Sequence, residues 1–331
     1  MRDFEDDYTG DYKGRDIDTA QEEARQMVDT ILTLPHETTR KVREEIALKT
    51  VRNFRDHINK GFLDYRKSVT EATNFALTEW TGEGSVLVDA LDRKFLDLLG
   101  GFGLYSYGIR HPKIIAAVKA QLDRSPQYSQ EMLDPLRAQL ARVLALLTPG
   151  KIQYGFFANS GTEAVEGAMK LAKLYTGQKG FIAMLKGFHG KTLGSLSLMG
   201  KKIFRKPLLP LLEGVRHVPF GDAKAVEAVL SAAKAVGDGI AAVVAEPIQG
   251  EAGAVVPPDD YWPRLREICN PYDVLLIADD VQTGMGRTGE IFGVDHWNVT
   301  PDILCLGKAL GGGVVPMSAF LSTAKIWECM E

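Results

Sequence analysis

The sequence predicts an α/β protein, a mainly parallel sheet covered by helices on both faces, and three observations carry that expectation. Short apolar runs follow one another at residues 152–158, 181–185, 240–245, 274–278, 303–306 and 314–321. Helical patterns fall between several of them, at 162–175, 223–235 and 260–268, and strands alternating with helices imply βαβ crossovers. Polar and glycine-rich clusters sit where the apolar runs stop, which is where ligands bind in open parallel sheets.

The N-terminal part reads differently. Residues 1–30 hold ten acidic and four basic side chains, a net −6 in a chain of net −4, so the remainder carries +2. Residues 1–18 are therefore expected to form an acidic, disordered tail. Residues 19–34 and 37–60 read as helices, free of internal glycine and separated by Pro35. Residues 85–99 read as a hairpin, with Val86, Leu87 and Val88 on one arm and Phe95, Leu96 and Leu98 on the other. Gly100, Gly101, Gly103 and Gly108 follow, then helical patterns at 112–122 and 133–147. The domain expectation is an N-terminal helical and hairpin segment at 19–110, belonging to a smaller domain, and a large domain at 111–331.

Composition excludes several classes. With 45% hydrophobic and 25% charged residues the chain is an ordinary globular one, and its near-neutral body carries no footprint for nucleic acid. Cys269, Cys305 and Cys329 are scattered, without the spacing of a disulfide framework or a zinc site. The six histidines show no ligand spacing either, so no metal is expected. There is no secretory leader pattern and no apolar run near the ~20 residues that span a bilayer. The expected location is cytoplasmic.

The strand ends carry the chemistry. The first is followed by Asn159-Ser160-Gly161-Thr162-Glu163 and a helix, a turn whose free N–H groups suit a phosphate; the same residues also make an ordinary capping box. The second leads to Gly187-Phe188-His189-Gly190, where an aromatic ring between glycines either stacks on a flat ligand or fills the core beside a turn. The third ends at Glu246, with Glu251 across a polar turn, an unusual pair after a buried strand, though a solvated loop would look the same. The fourth ends in Asp279-Asp280-Val281-Gln282, and a carboxylate closing so apolar a run needs a partner, for which a protonated ring nitrogen serves. After the fifth comes Lys308, in a glycine-lined apolar setting that favours the neutral amine needed for Schiff-base chemistry. Gly284–Gly289 matches G-x-G-x-x-G, but no helical pattern follows it and no acid ends a second strand at the right distance, so a dinucleotide site is rejected.

Together these motifs, with Phe188-His189-Gly190-Lys191-Thr192, Glu246-Pro247-Ile248-Gln249-Gly250-Glu251 and Gly307 to Gly313, resemble the class III (ω-amino) aminotransferases, pyridoxal-phosphate (PLP) enzymes of fold type I. They occur in the family's order, with Lys308 29 residues after Asp279. The resemblance implies a seven-stranded-type sheet and PLP as cofactor. It implies Ser160, Gly161 and Thr162 at the phosphate, Phe188 stacked on the ring with His189 beside it, and Asp279 on the ring nitrogen. Gln282 falls to the ring hydroxyl, and Lys308 to the covalent Schiff base. Glu246 and Glu251 fall on the substrate side, Glu251 pairing with an arginine from further along the chain by analogy with ornithine-type members. One departure is Asp280, where the family usually has glutamate.

Within the class, residues 61–70, 99–103, 133–137 and 204–208 are most similar to the diamine (putrescine-type) members. That implies a terminal amine as donor, a 2-oxo acid such as 2-oxoglutarate as acceptor, ping-pong turnover and a homodimer or higher homo-oligomer. The alternatives are an ornithine-type or other ω-amino acid donor, or a fragment that binds PLP and dimerises without turnover. Family members continue beyond the position of Glu331 for about another domain's worth of residues, so a C-terminally truncated chain is expected.

Overall fold

The computed structural model describes residues 16–34, 38–58, 77–125 and 131–330. Most of the acidic segment, Pro35 and the diamine-like stretch 61–70 lie outside them. The chain divides into two compact units, residues 1–81 with 87–95, and residues 82–86 with 96–331.

The first unit contains α1 (Ile17–Leu32) and α2 (Arg40–Asn53), which runs on into a π-helical turn at Phe54–Ile58. Short strands β1 (Glu79–Glu83), β2 (Val86–Asp89) and β3 (Lys94–Leu96) follow, the last two being the arms of the predicted hairpin. Its turn is held by Asp89, whose buried carboxylate accepts the N–H groups of Leu91 and Arg93 at 3.0 and 2.8 Å and pairs with the Arg93 guanidinium. Arg43 of α2 forks onto the carboxylate of Asp92 in the same turn.

In the second unit, α3 (Pro112–Arg124) and α4 (Pro135–Leu147) each begin with proline at the first helical position, where no N–H is missed. A seven-stranded sheet follows: β4 (Ile152–Ala158), β5 (Gly180–Met184), β6 (Val215–Val218), β7 (Ile240–Ala245), β8 (Leu275–Asp279), β9 (Ile303–Leu306) and β10 (Ser318–Thr323). The spatial order is β4-β10-β9-β8-β7-β5-β6. Only β10 runs against the rest, pairing antiparallel with both β4 and β9. Helices α5 (Gly161–Thr176), α6 (Leu193–Leu198), α7 (Lys202–Arg205), α8 (Ala223–Val236), α9 (Tyr261–Cys269) and α10 (Ala324–Trp327) complete the unit.

The expected α/β fold is thus observed, with β6 added and β10 beginning four residues later than its apolar run. The central strands explain the core. Every residue of β5, β7, β8 and β9 is buried, as parallel strands covered on both faces require. One buried cluster centres on Trp262, Tyr261 and Phe292 on one face of the sheet; the other gathers on α5. The chain leaves β4 at one edge and re-enters at β5 near the other, so α5 must cross the sheet. It does so on small residues, Ala164, Gly167, Ala168 and Ala172, and a Cβ on Gly167 would collide with the edge of the Phe320 ring. This helix fixes the height of its own N-terminus above the strand ends.

Candidate active site

The carboxyl ends of β4, β5, β7, β8 and β9 meet around a cavity of about 170 Å³. Its walls are Gly161, Thr162, Phe188, His189, Gly190, Glu246, Glu251, Asp279, Val281, Gln282 and Lys308. All the sequence-predicted residues except Ser160 therefore line one space.

At one end lies the N-terminus of α5. Gly161 packs so closely on Val281 that an added Cβ would sit 2.8 Å from its Cγ1. The Thr162 hydroxyl lies 2.7 Å from that of Thr192 and 2.6 Å from that of Ser195, and Glu166 anchors the group by accepting the Thr192 hydroxyl and the Ser195 N–H. Ser160 is the N-cap, and its hydroxyl donates to Glu163 at 2.7 Å. Glu163 also accepts the backbone N–H groups of Asn159 and Ser160, and the hydroxyl and these N–H groups hold its carboxyl below the usual value. The capping half of the motif is therefore built, and Gly161 and Thr162 of the first turn, whose N–H groups have no intrahelical acceptor, line the cavity end.

At the floor, Asp279 ends β8 beside Cys305 of β9 and is 4% exposed. His189 Nδ1 lies 2.7 Å from Asp279 Oδ2, and since a carboxylate only accepts, Nδ1 carries the proton. Burial alone would push this imidazole down, yet the Asp279 carboxylate, with Glu246 behind it, holds it above its ordinary value. Asp279 Oδ1 accepts the Val281 N–H at 3.2 Å and keeps lone pairs for a further donor.

Phe188 is half-buried at the wall, held from behind by the edge of Phe204 at 6.1 Å, over which Lys191 Nζ sits at 5.0 Å. The Phe188 N–H donates to Glu246 Oε1 at 2.9 Å, and the Gly250 N–H to Glu246 Oε2 at 3.1 Å. Both Glu246 oxygens thus staple two strand-end loops together, and burial raises its carboxyl above the usual range. Gln282 donates through Nε2 to the Phe102 carbonyl at 2.8 Å, which draws the glycine-rich turn over the cavity. Gly103 lies there against Gln282 and Lys308, and its φ of +97° suits glycine alone.

Lys308 follows β9 with φ +44°, a left-handed conformation that a long side chain adopts only where its surroundings enforce it. Burial pushes its ammonium down, against the pull of Asp279, Glu246 and Glu251. Val281, Gly190, Thr192 and Ser195 were not singled out as site residues in the sequence. Val281, Gly190 and Thr192 had a signal, since they stand within the motifs quoted for the resemblance; Ser195 had none, because only the fold brings 162 beside 192 and 195. Among the described residues no cluster of acids, histidines and cysteines is placed to hold a metal ion, the three cysteines are free, and no helix is long and apolar enough to cross a membrane.

A helix N-terminus, a carboxylate fixed by histidine, an aromatic wall and a half-buried amine share one cavity at the strand ends, the arrangement of fold type I. Residues 68–331 match the class-III aminotransferase family, and the chain belongs to it. It is similar to a transaminase from the marine bacterium Virgibacillus, at 28% identity over 77% of this chain and 60% of that one, with a TM-score of 0.73. The ornithine aminotransferase of Toxoplasma gondii matches at 28% identity over 86% of this chain and 68% of that one, TM-score 0.73. A thermostable (S)-enantioselective ω-transaminase from Thermomicrobium roseum gives 28%, 86%, 68% and 0.77. The chain spans less than two thirds of the length of the first of these and about two thirds of the other two.

The residues fit PLP on the structure's own terms. The end of α5 offers N–H groups to a phosphate, Asp279 has an acceptor left over, and Lys308 is pushed towards the neutral amine.

Proposed function

We propose that this chain carries out PLP-dependent transamination from a terminal amine to a 2-oxo acid, with a putrescine- or cadaverine-type diamine as donor and 2-oxoglutarate as acceptor. The observation that carries the reading is the convergence of Lys308, Asp279 and the N-terminus of α5 on one cavity. Bound PLP supplies a carbonyl that condenses with amines and a ring that takes up electrons.

The protein's part follows from its side chains. The N–H groups and hydroxyl at Gly161 and Thr162 bind the phosphate, while Phe188 and Val281 confine the ring. Asp279, oriented by His189, accepts a hydrogen bond from the ring nitrogen and keeps a proton there. Gln282 uses its remaining amide groups for the ring hydroxyl. Lys308 Nζ would hold the cofactor, and once freed would take the proton from the donor carbon as base and deliver it as acid to the carbon that was the cofactor's carbonyl. Donor and acceptor use the same cavity in turn, so ping-pong kinetics are expected. A homodimer belongs to the same reading, and the exposed Leu133, Leu136 and Leu146, on and just before α4, offer apolar surface for it.

The test is an absorbance spectrum of the purified chain with PLP, native and Lys308→Ala, followed by borohydride reduction and peptide mapping. A visible cofactor band with the adduct on Lys308 is expected. No band, or an adduct spread over surface lysines, refutes the site. Initial rates with putrescine, cadaverine and ornithine then rank the donors.

A further inference from the structure

The aromatic wall of the cavity is two rings deep, and the outer ring has supports of its own. Phe188 lines the cavity, and its ring meets that of Phe204 in a T-shaped contact, centroids 6.1 Å apart and planes at 87°. Phe204 is half-buried on α7 while its neighbour Ile203 is 74% exposed, so this short helix turns one apolar side chain inwards and the other out. Lys191 Nζ stands over the Phe204 ring, 5.0 Å from its centroid. Lys191 lies three residues after Phe188, so one short segment grips Phe204 with two side chains, a ring and a cation.

The backbone fixes the same arrangement. The N–H of Gly200, just ahead of α7, donates to the Gly187 carbonyl, and its carbonyl accepts the Lys186 N–H, both at 3.0 Å. A Cβ on Gly200 would lie 2.3 Å from the Lys186 nitrogen and from the Met184 carbonyl oxygen, so only glycine allows this approach. On the other side the Phe188 N–H is held by Glu246 at 2.9 Å. Phe188 thus has its backbone fixed by one strand-end loop and its ring by α7. A ring that confines a flat ligand gains from being held before the ligand arrives, because the ordering cost is met in folding.

We infer that Phe204 is a positioning residue for the cofactor: it holds Phe188 as a fixed wall for the cofactor ring, and Lys191 clasps Phe204 in place. This rests on the PLP-dependent reading above. Position 204 opens one of the stretches most similar to the diamine members, and its side chain serves the cofactor wall.

The test titrates PLP into the purified chain and reads the visible absorbance and circular dichroism of the cofactor band. An aromatic pair of this kind is worth about two- to tenfold in affinity, and Phe204→Leu is expected to weaken PLP binding by that factor. The band's ellipticity per bound cofactor falls with it, because a loosened wall no longer holds the ring in one asymmetric setting. Phe204→Tyr keeps the ring and retains both properties. Lys191→Met weakens PLP binding about twofold, and Lys191→Arg keeps the native value. In a Phe188→Leu chain, which lacks the inner ring, adding Phe204→Leu changes neither property further. A Phe204→Leu loss that persists in that background overturns the inference, since Phe204 would then act on the fold at large. So does a Phe204→Leu chain that matches the native, or a Phe204→Tyr chain as impaired as Phe204→Leu. If Phe204→Leu does not fold, the Lys191 variants decide, and equal binding by native and Lys191→Met chains overturns the inference. A native chain without the band overturns the PLP reading and this inference with it, whereas every other failure leaves the native band intact.

Discussion

Burial raises the Asp280 carboxyl towards neutral pH, and replacing it with asparagine tests this directly. Its side chain is 1% exposed, Oδ1 accepts the Thr283 hydroxyl and the Gly293 N–H, and Oδ2 is buried without a partner. Burial, with Asp279 adjoining, pushes the carboxyl up from 3.8 to about 7. The folded chain then keeps this proton to higher pH than the unfolded chain does. Between about pH 4 and 7 the folded state binds more protons, so stability falls as pH rises, and it is flat on either side. A rise from 3.8 to about 7 corresponds to a loss on the order of 4 kcal/mol across that window. Asparagine keeps an acceptor for Thr283 and Gly293, places an uncharged amide at the Oδ2 position, and does not titrate. Urea denaturation of native and Asp280→Asn chains at intervals from pH 4 to 8 measures the difference. The variant is expected to gain on the native steadily from pH 4 to 7 and then to hold its gain. Two parallel stability profiles would show that Asp280 does not carry its proton into the folded state, and would refute the reasoning.

Three further outcomes follow from packing and hydrogen bonding. Gly167→Ala drives a methyl into the Phe320 ring beneath α5 and is expected to destabilise the fold by about 1–3 kcal/mol, read as a lowered urea midpoint with unchanged slope. Glu246→Gln turns an amide NH2 towards a backbone N–H, so one of the Phe188 and Gly250 links is lost at about 1–3 kcal/mol; PLP affinity measured by absorbance titration falls, while Lys308 still takes the borohydride adduct. Gly161→Ala places its Cβ 2.8 Å from Val281 Cγ1, and is expected to weaken PLP binding more than it lowers thermal stability.

Much of this was legible because the chemistry sits at the ends of strands, and strands covered on both faces announce themselves as unbroken apolar runs. The runs ending near Asp279 and Lys308 are of that kind, and the polar residues that follow had to face the ligand edge. The exceptions have local causes. β6, Val-Arg-His-Val, is an edge strand of four residues with two polar members, so it shows no run. Val314 and Val315 extended the apolar run before β10, but Pro316 and three glycines keep them in a turn. Glu246 was legible as an acid at a strand end, while its commitment to the N–H groups of Phe188 and Gly250 depends on a contact 58 residues apart in sequence.

The same contacts show how four neighbouring acids, three of them lining one cavity, are assigned different work. Asp279, Asp280, Glu246 and Glu251 lie on two adjacent strand-end loops, and like charges this close and this buried oppose one another's ionisation. Each is placed by its neighbours. Asp280 points into the core towards Thr283, where burial pushes its carboxyl up to about 7; Glu246 accepts two backbone N–H groups. Asp279 faces an imidazole that is held above its ordinary value by that very contact. Glu251 has Lys201 Nζ on its main-chain carbonyl at 2.5 Å and 3.8 Å from its Oε2. Lys308 responds to the sum: burial lowers it, the acids limit how far, and it shares its cavity with Asp279, Phe188 and the N-terminus of α5.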